Sequence, residues 1–118
     1  MNKLNDDETA TLLEKVIRVT REERLIWSPL NGTRFDYGAT VGDFYYRVFS
    51  VDVDGVAPYC FEAHHAGSGL DDPLVSHTTA ERTTPLSVLV ADLYDIVERK
   101  VLGLDDLAEK MLGGLDEL

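Results

Sequence analysis

The sequence predicts an α+β fold, in which an antiparallel β-meander of four to five strands is flanked by one N-terminal helix and two C-terminal helices. Apolar residues recur every three or four positions near both ends of the chain. The middle is instead rich in β-branched and aromatic residues, interrupted by glycine, proline and Asn-Gly or Asp-Gly pairs. Because 118 residues can bury one core but not two, we expect a single domain over residues 1–118.

The first helix is predicted to begin at Asp6 or Asp7 and to end near Arg21. Acidic residues crowd its first turn, where the helix dipole favours negative charge. The apolar residues are spaced for one face of a helix, namely Leu12, Leu13, Val16, Ile17 and Thr20. The pattern therefore predicts an amphipathic helix.

Asn31-Gly32 is the strongest hairpin signal in the chain, because both central positions of the favoured two-residue turn require a positive φ. Strands are therefore expected on either side of it. Pro29 cannot donate a hydrogen bond to a neighbouring strand, so the first strand should lie at an edge or contain a bulge. The predicted strands cover residues 24–30, 33–40, 44–53, 59–65 and 74–78.

The second helix has the clearest start of any element. In Thr83-Thr84-Pro85 a threonine caps the helix, and proline takes the first helical position, where its missing N–H costs nothing. The apolar residues that follow are spaced by three and four, at Leu86, Leu89, Val90, Leu93, Ile96, Val97 and Val101. Gly103 predicts a left-handed C-cap that ends this helix.

A shorter third helix is predicted from Leu104, and Gly113-Gly114 is expected to break it. Its apolar stripe consists of Leu104, Leu107, Met111 and Leu115. Such a stripe either docks into a groove on a partner or closes the domain's own core, and the second arrangement is the more common one.

The balance of charge restricts the expected partners. With 11 Lys and Arg against 22 Asp and Glu, the net charge is −11, so we expect neither nucleic acid nor an anionic lipid surface as a partner. No apolar stretch approaches the roughly 20 residues that a membrane-spanning helix needs. The N-terminus has no pattern of a secretory signal and Cys60 is the single cysteine, so the expected compartment is the cytoplasm.

The histidines offer a candidate for metal chemistry. In the fourth predicted strand, alternation places Glu62 and His64 on the face away from the core, and a hairpin centred near Gly69 would bring His77 close to both. Two imidazoles and a carboxylate are adequate zinc ligands. Their spacing matches no metal-binding motif, however, and the competing interpretation is that these are solvated or hydrogen-bonded strand histidines.

A small metal-dependent enzyme using Glu62, His64 and His77 is therefore the alternative hypothesis for function. The leading hypothesis has no cofactor and no catalytic residue. Nothing in the sequence places a cation or a helix N-terminus beside Cys60, so this residue is expected to be a small buried hydrophobe and not a nucleophile.

The run 44–53 is apolar on both faces in its first half. One face carries Phe44, Tyr46 and Val48, and the opposite face carries Tyr45, Phe49, Val51 and Val53. Helices in this class of fold usually gather on one face of the sheet, which leaves the other face to water or to a second subunit. We therefore expect a homodimer with an interface that contains Phe44, Tyr46 and Val48.

The C-terminal third combines an apolar helix, the sequence Gly103-Leu104-Asp105-Asp106 and a short helix. Together with the N-terminal amphipathic helix and the aromatic-rich meander, it resembles short bacterial proteins of uncharacterised function that have the same layout. The resemblance implies a small bacterial protein of the kind that mobile elements encode, and it supplies no activity and no site residues. These observations favour a non-catalytic cytoplasmic protein that acts through protein–protein contacts.

Overall fold

The computed structural model describes residues 2–79 and 84–118, and these contain three α-helices and five strands. In chain order the elements are α1 (Asp6–Arg21), β1 (Ser28–Pro29), β2 (Asp36–Val41), β3 (Phe44–Ser50), β4 (Tyr59–His65), β5 (Val75–Thr78), α2 (Pro85–Leu102) and α3 (Leu104–Asp116). The predicted α+β class is confirmed, with its order of helix, meander and two helices. Among the described residues, no helix is long and apolar enough to cross a membrane.

Reciprocal hydrogen bonds explain why α1 begins at Asp6. The side-chain oxygen of Asn5 accepts a hydrogen bond from the backbone N–H of Glu8 at 2.8 Å, and the Glu8 carboxylate accepts one from the backbone N–H of Asn5 at 3.1 Å. This capping box satisfies two of the N–H groups that every helix start leaves without partners. The predicted bounds of the first helix are therefore confirmed.

The five strands form one antiparallel sheet in sequential order, from β1 to β5. Tyr37 lies opposite Val48 and Val48 lies opposite Phe61, so these three side chains form a row across one face of the sheet. The helix α2 packs on β3, β4 and β5 at this face, and α1 packs beside α2. The buried core contains Leu13, Val16, Ile17, Leu25, Trp27, Tyr37, Ala39, Val48, Phe61, Ala63, Val75, Leu86, Val90, Leu93, Tyr94 and Val97.

The predicted strand over residues 24–30 is wrong in its extent, because β1 consists of Ser28–Pro29 alone. Just before β1, Trp27 is buried, and its indole Nε1 donates a hydrogen bond to Thr20 Oγ1 of α1 at 3.0 Å. Leu25 is buried in the same core. This segment is held against the helix and is not paired along β2. The strand β1 does lie at an edge of the sheet, as the proline predicts.

The predicted two-residue turn at Asn31-Gly32 does not form. Residues Leu30–Gly32 instead make a short 3-10 helix, and the pairing of β1 with β2 starts with Pro29 opposite Tyr37. Gly32 has a positive φ of 71°, but the other positive φ of this connection falls on Phe35, at 70°. The connection is thus a longer loop, and β2 begins at Asp36 instead of residue 33.

The predicted strand over residues 44–53 also ends early, at Ser50. Val53 and Gly55 have positive φ angles of 55° and 83°, which extended strands do not adopt. The Asp54 carboxylate accepts a hydrogen bond from the backbone N–H of Val56 at 3.1 Å and lies 3.0 Å from the Ser50 hydroxyl. Residues 51–53 therefore belong to a turn, although the β-branched valines at positions 51 and 53 favoured a strand.

The opposite edge of the sheet is covered by the N-terminal segment. The Asn2 side-chain amide accepts a hydrogen bond from the backbone N–H of Ser76 at 2.9 Å and donates one to its carbonyl at 3.1 Å. The backbone N–H of Lys3 donates to the carbonyl of Leu74 at 2.8 Å. These bonds occupy backbone groups of Ser76 in β5 and of Leu74 just before it, which would otherwise be free to pair with another strand.

The helix α2 follows the prediction at both ends. The Thr84 side chain accepts a hydrogen bond from the backbone N–H of Ser87 at 3.1 Å, and Pro85 occupies the first helical position. Gly103 adopts the left-handed conformation, with φ 65° and ψ 31°, and ends the helix. Thr83, the other residue of the predicted cap, lies outside the described residues.

One prediction for α3 is wrong. The helix continues through Gly113 and Gly114 to Asp116, because glycine costs only about 1 kcal/mol in a helix and neither residue adopts a positive φ. In addition, the apolar stripe does not close the core, since α3 buries none of its residues within the described part of the chain.

Candidate functional site

The face of β3 that was expected to be uncovered is the face that packs against the core. Val48 is 0% exposed in the core, and Tyr46 packs partly buried against the same core. Phe44, at the end of the strand, is 40% exposed and stacks on His65 with 5.7 Å between ring centroids. Phe44, Tyr46 and Val48 are therefore not an uncovered face, and the prediction that they form the homodimer interface is wrong because the chain's own core covers most of them.

The opposite face of the sheet, which we call the open face, is more polar. It carries the alternate residues of each strand, namely Asp36, Gly38, Thr40, Tyr45, Arg47, Phe49, Cys60, Glu62, His64, Ser76 and Thr78. Every strand residue in the buried core cluster belongs to the other face, so the helices gather on one side as the sequence predicts. Tyr45 lies over Gly38, where any Cβ atom would collide with the tyrosine hydroxyl.

A charged network occupies the centre of the open face. The Arg47 guanidinium donates to both carboxylate oxygens of Asp36, from Nε at 3.0 Å and from Nη2 at 2.7 Å, and Nη1 donates to Glu62 Oε1 at 3.2 Å. His64 Nε2 lies 3.0 Å from the same Glu62 oxygen. The hydrogen bond to Asp36 is the main cause that raises the pKa of Arg47. Its guanidinium also stacks on Phe49, 3.9 Å from the ring centroid.

The predicted metal site is not assembled. Glu62 and His64 do lie together on the open face, but His77 is opposite Phe61 and therefore lies on the face that the helices cover. There its Nε2 is 3.4 Å from the Ser87 hydroxyl of α2. The sequence could not fix the register of this hairpin, and the actual register separates the third ligand from the other two. In the described ranges, no three His, Cys, Asp or Glu side chains could hold a metal ion together.

The polar side chains at the centre of the open face are arranged to hold the structure together and not to react with a ligand. His64 is 0% exposed, and its Nδ1 has no hydrogen-bond partner among the described residues. Cys60 is 3% exposed, and burial raises the pKa of its thiol, so a thiolate nucleophile is disfavoured. The prediction that Cys60 is a small buried residue is confirmed. The charged groups are paired with one another, and the thiol and the imidazole are buried.

The helix α3 presents the opposite situation, because large apolar side chains face outward. Every residue from 109 to 118 is exposed. Met111 is 61% exposed and Leu115 is 65% exposed, although both belong to the apolar side of an amphipathic helix. The exposed large apolar residues of this segment, here called the α3 stripe, are Leu107, Met111, Leu112, Leu115 and Leu118. Large contiguous apolar patches on a protein surface are typical of interaction sites.

Acidic residues border the α3 stripe. Residues 104–118 contain five acids and one lysine, which gives the segment a net charge of −4. Asp105 accepts hydrogen bonds from Arg99 Nε and Nη2 at 2.9 and 2.7 Å. For the other acids of this segment, which are Asp106, Glu109, Asp116 and Glu117, the described residues supply no ion-pair partner.

A groove of about 310 Å³ lies at the start of α3, between the end of α2 and the segment before β1. Ile26, Trp27 and Val101 form part of its apolar wall. Most of its polar wall is paired, because Lys100 Nζ lies 3.5 Å from Glu23 and Arg99 pairs with Asp105. Asp106 is the one charged lining residue without an ion-pair partner among the described residues.

Sequence reasoning missed two features of these surfaces. Arg47 shares a face with Tyr45 and Phe49, and a charged residue in mid-strand was the available signal that this face is the polar one. Leu112 and Leu118 widen the α3 stripe beyond the predicted residues. The three-residue spacing of both from Leu115 is visible in the sequence. The sequence does not show, however, whether other parts of the chain cover this side of the helix.

Comparisons with protein-family models, with curated proteins and with solved structures found no match to this chain.

Proposed function

We propose that this protein acts through contact with another protein, without catalysis, and that α3 is the element that docks. The observation that carries the proposal is the exposure of the α3 stripe. Leu107, Met111, Leu112 and Leu115 are exposed on this one short helix, Leu118 is exposed just beyond its end, and none of the helix's described residues is buried. Covering such side chains stabilises a complex by about 1.5–3 kcal/mol for each one that becomes fully buried.

The polar parts of the molecule support a non-catalytic role. The charged groups of the open face are paired with one another, and Cys60 is buried with a raised pKa. Glu62, His64 and His77 do not converge, which removes the geometric support for a metal-dependent enzyme. The single buried thiol favours the reducing cytoplasm as the compartment. The homodimer stays a prediction, but Val48 is not available to serve it.

Site-specific photo-crosslinking in cells that produce the protein tests the proposal. We expect a photoreactive residue at position Met111 to give a discrete protein adduct, because the α3 stripe is covered in the complex. The same probe at Asp92, an exposed position of α2, is the matched control and should give none. Equal labelling from both positions, or no adduct from Met111, would contradict docking through α3.

A further inference from the structure

We propose that the partner of α3 is a cationic amphipathic helix or helix-like segment of a different protein, an inference that rests on the proposed function above. The occupant must match both an apolar stripe and its borders. On α3 one border is acidic, and Asp105 is the one acid of that border with an ion-pair partner among the described residues. A helix with leucine-like residues on one face and Lys or Arg beside them satisfies both requirements.

The positions of the acids on α3 follow from helical spacing. Asp105, Glu109 and Asp116 are separated by four and seven residues, so they form one row beside the α3 stripe. Asp106, Lys110 and Glu117 have the same spacing and form a second row on the polar side of the helix, in which Lys110 lies nearest the other border of the stripe. Together these rows carry five acids and a single cation. A partner that lies along the apolar side therefore meets the acidic row of Asp105, Glu109 and Asp116 on one flank.

A second copy of this chain is a poor occupant for the same reason. In an antiparallel pair of α3 helices, the row of Asp105, Glu109 and Asp116 would lie beside the same row of the other copy. In a parallel pair, that row would meet Asp106, Lys110 and Glu117, where acids still outnumber the lysine. Each chain also carries a net charge of −11, which opposes self-association over longer distances.

A lipid surface is disfavoured as well. Helices that lie on membranes carry Lys and Arg on their polar side, where they attract anionic headgroups. The acids of α3 would repel those headgroups. Within α3 the stripe extends from Leu107 to Leu115, a rise of about 12 Å, or roughly two turns, which a single partner helix can span.

The test uses the full chain and three synthetic peptides of about four helical turns. The first peptide has leucine on one face and lysine on the other, the second has glutamate in place of lysine, and the third is a scrambled form of the first. We expect the full chain to bind the leucine–lysine helix in a salt-dependent manner, with weaker binding of the scrambled peptide and no binding of the glutamate helix. Fluorescence anisotropy of labelled peptides measures the three affinities.

Variants of the chain separate the two components of the interaction. A double variant, Met111→Gln with Leu115→Gln, removes apolar surface without a change in charge and should weaken binding about a hundredfold. A triple variant, Glu109→Gln with Asp116→Asn and Glu117→Gln, should weaken it about tenfold. Its matched control neutralises three exposed acids elsewhere, Glu14→Gln with Asp71→Asn and Asp72→Asn, and should have little effect.

Several outcomes would overturn the inference. Equal affinities for the lysine and glutamate helices would show that charge does not select the partner. An equal affinity for the scrambled peptide would show that binding is non-specific electrostatic attraction and does not require an amphipathic helix. A mass of two chains for the free protein in sedimentation equilibrium, lost in the double variant, would identify a second copy as the occupant. Binding of the full chain to anionic vesicles through α3 would identify a membrane. After any of the first three results, a protein adduct from Met111 in cells would still support docking of α3 on a protein, and only the inference about the partner would fail. Binding to anionic vesicles would contradict the proposed function as well.

Discussion

The helices α2 and α3 meet at Gly103 and are both amphipathic, yet only one of them belongs to the core. The buried residues of α2 are Leu86, Ser87, Val90, Leu93, Tyr94 and Val97. The helix α3 buries none among the described residues, and every residue from 109 to 118 is exposed. A helical period in a sequence thus shows that a helix has an apolar side. It does not show whether the same chain covers that side.

The largest expected difference between the two helices is the effect of truncating a leucine. Leu93 is fully buried on α2, so Leu93→Ala should lower the free energy of unfolding by about 2–5 kcal/mol. Leu115 is exposed on α3, and Leu115→Ala should change that free energy by less than about 0.5 kcal/mol. Urea unfolding followed through the fluorescence of the buried Trp27 measures both. Equal losses from the two variants would place α3 in the core and remove the distinction.

Alkaline pH should affect the covered helix through Tyr94. Burial raises the pKa of Tyr94 in the folded protein above the ordinary value of 10.0, and Glu98, Tyr37 and Tyr59 add to this effect. The stability gained from the neutral phenol is therefore complete below pH 10 and is lost as the pH rises above it. Unfolding curves between pH 9 and about 11.5 should show this loss, and Tyr94→Phe should reduce it. The same pH slope in both proteins would show that Tyr94 contributes nothing to it.

A smaller effect is expected at the junction of the two helices. Gly103 has a φ of 65°, and a Cβ atom there would meet no other atom within 4 Å, so backbone strain alone opposes a side chain. Gly103→Ala should cost about 1–2 kcal/mol, whereas Gly103→Asn should cost less, because asparagine tolerates the left-handed region. Thermal unfolding of the two variants compares these costs. A larger loss from asparagine would contradict the strain argument.

The smallest expected effect lies within α3 itself. Gly113 has free space around it, because a Cβ atom added at this position would meet no other atom within 4 Å. Gly113→Ala should stabilise the helix locally by about 1 kcal/mol and raise the helical signal in far-ultraviolet circular dichroism. The urea midpoint reported by Trp27 should remain unchanged, because α3 lies outside the core. A parallel rise of that midpoint would indicate that the two helices unfold as one unit.

Local signals in the sequence predicted much of the fold. The bounds of α1 followed from its periodicity and its acidic first turn, and those of α2 from Pro85 and Gly103. The strand β4 occupies the predicted residues 59–65. These signals depend on nearby residues in the chain, so they could be interpreted without knowledge of the tertiary structure.

Several of the failures depended on contacts between distant residues. The hydrogen bond from Trp27 to Thr20 holds the segment before β1 against α1, and the register of β4 with β5 puts His77 on the helix-covered face. Both faces of β3 carry apolar residues, so the pattern alone did not show which face is buried. The partners of Arg47 on neighbouring strands identify its face as the polar one. Alternation defines two faces of a strand, and packing decides which of them is buried.

Hydrogen exchange of the free protein, followed by mass spectrometry, tests most directly the claim that α2 belongs to the core and α3 does not. We expect slow exchange at the backbone amides of α2, limited by global unfolding, and fast exchange at those of α3 from residue 109 onwards. Addition of the leucine–lysine helix should then protect α3 and leave α2 unchanged. Protection of α3 equal to that of α2 in the free protein would contradict the account.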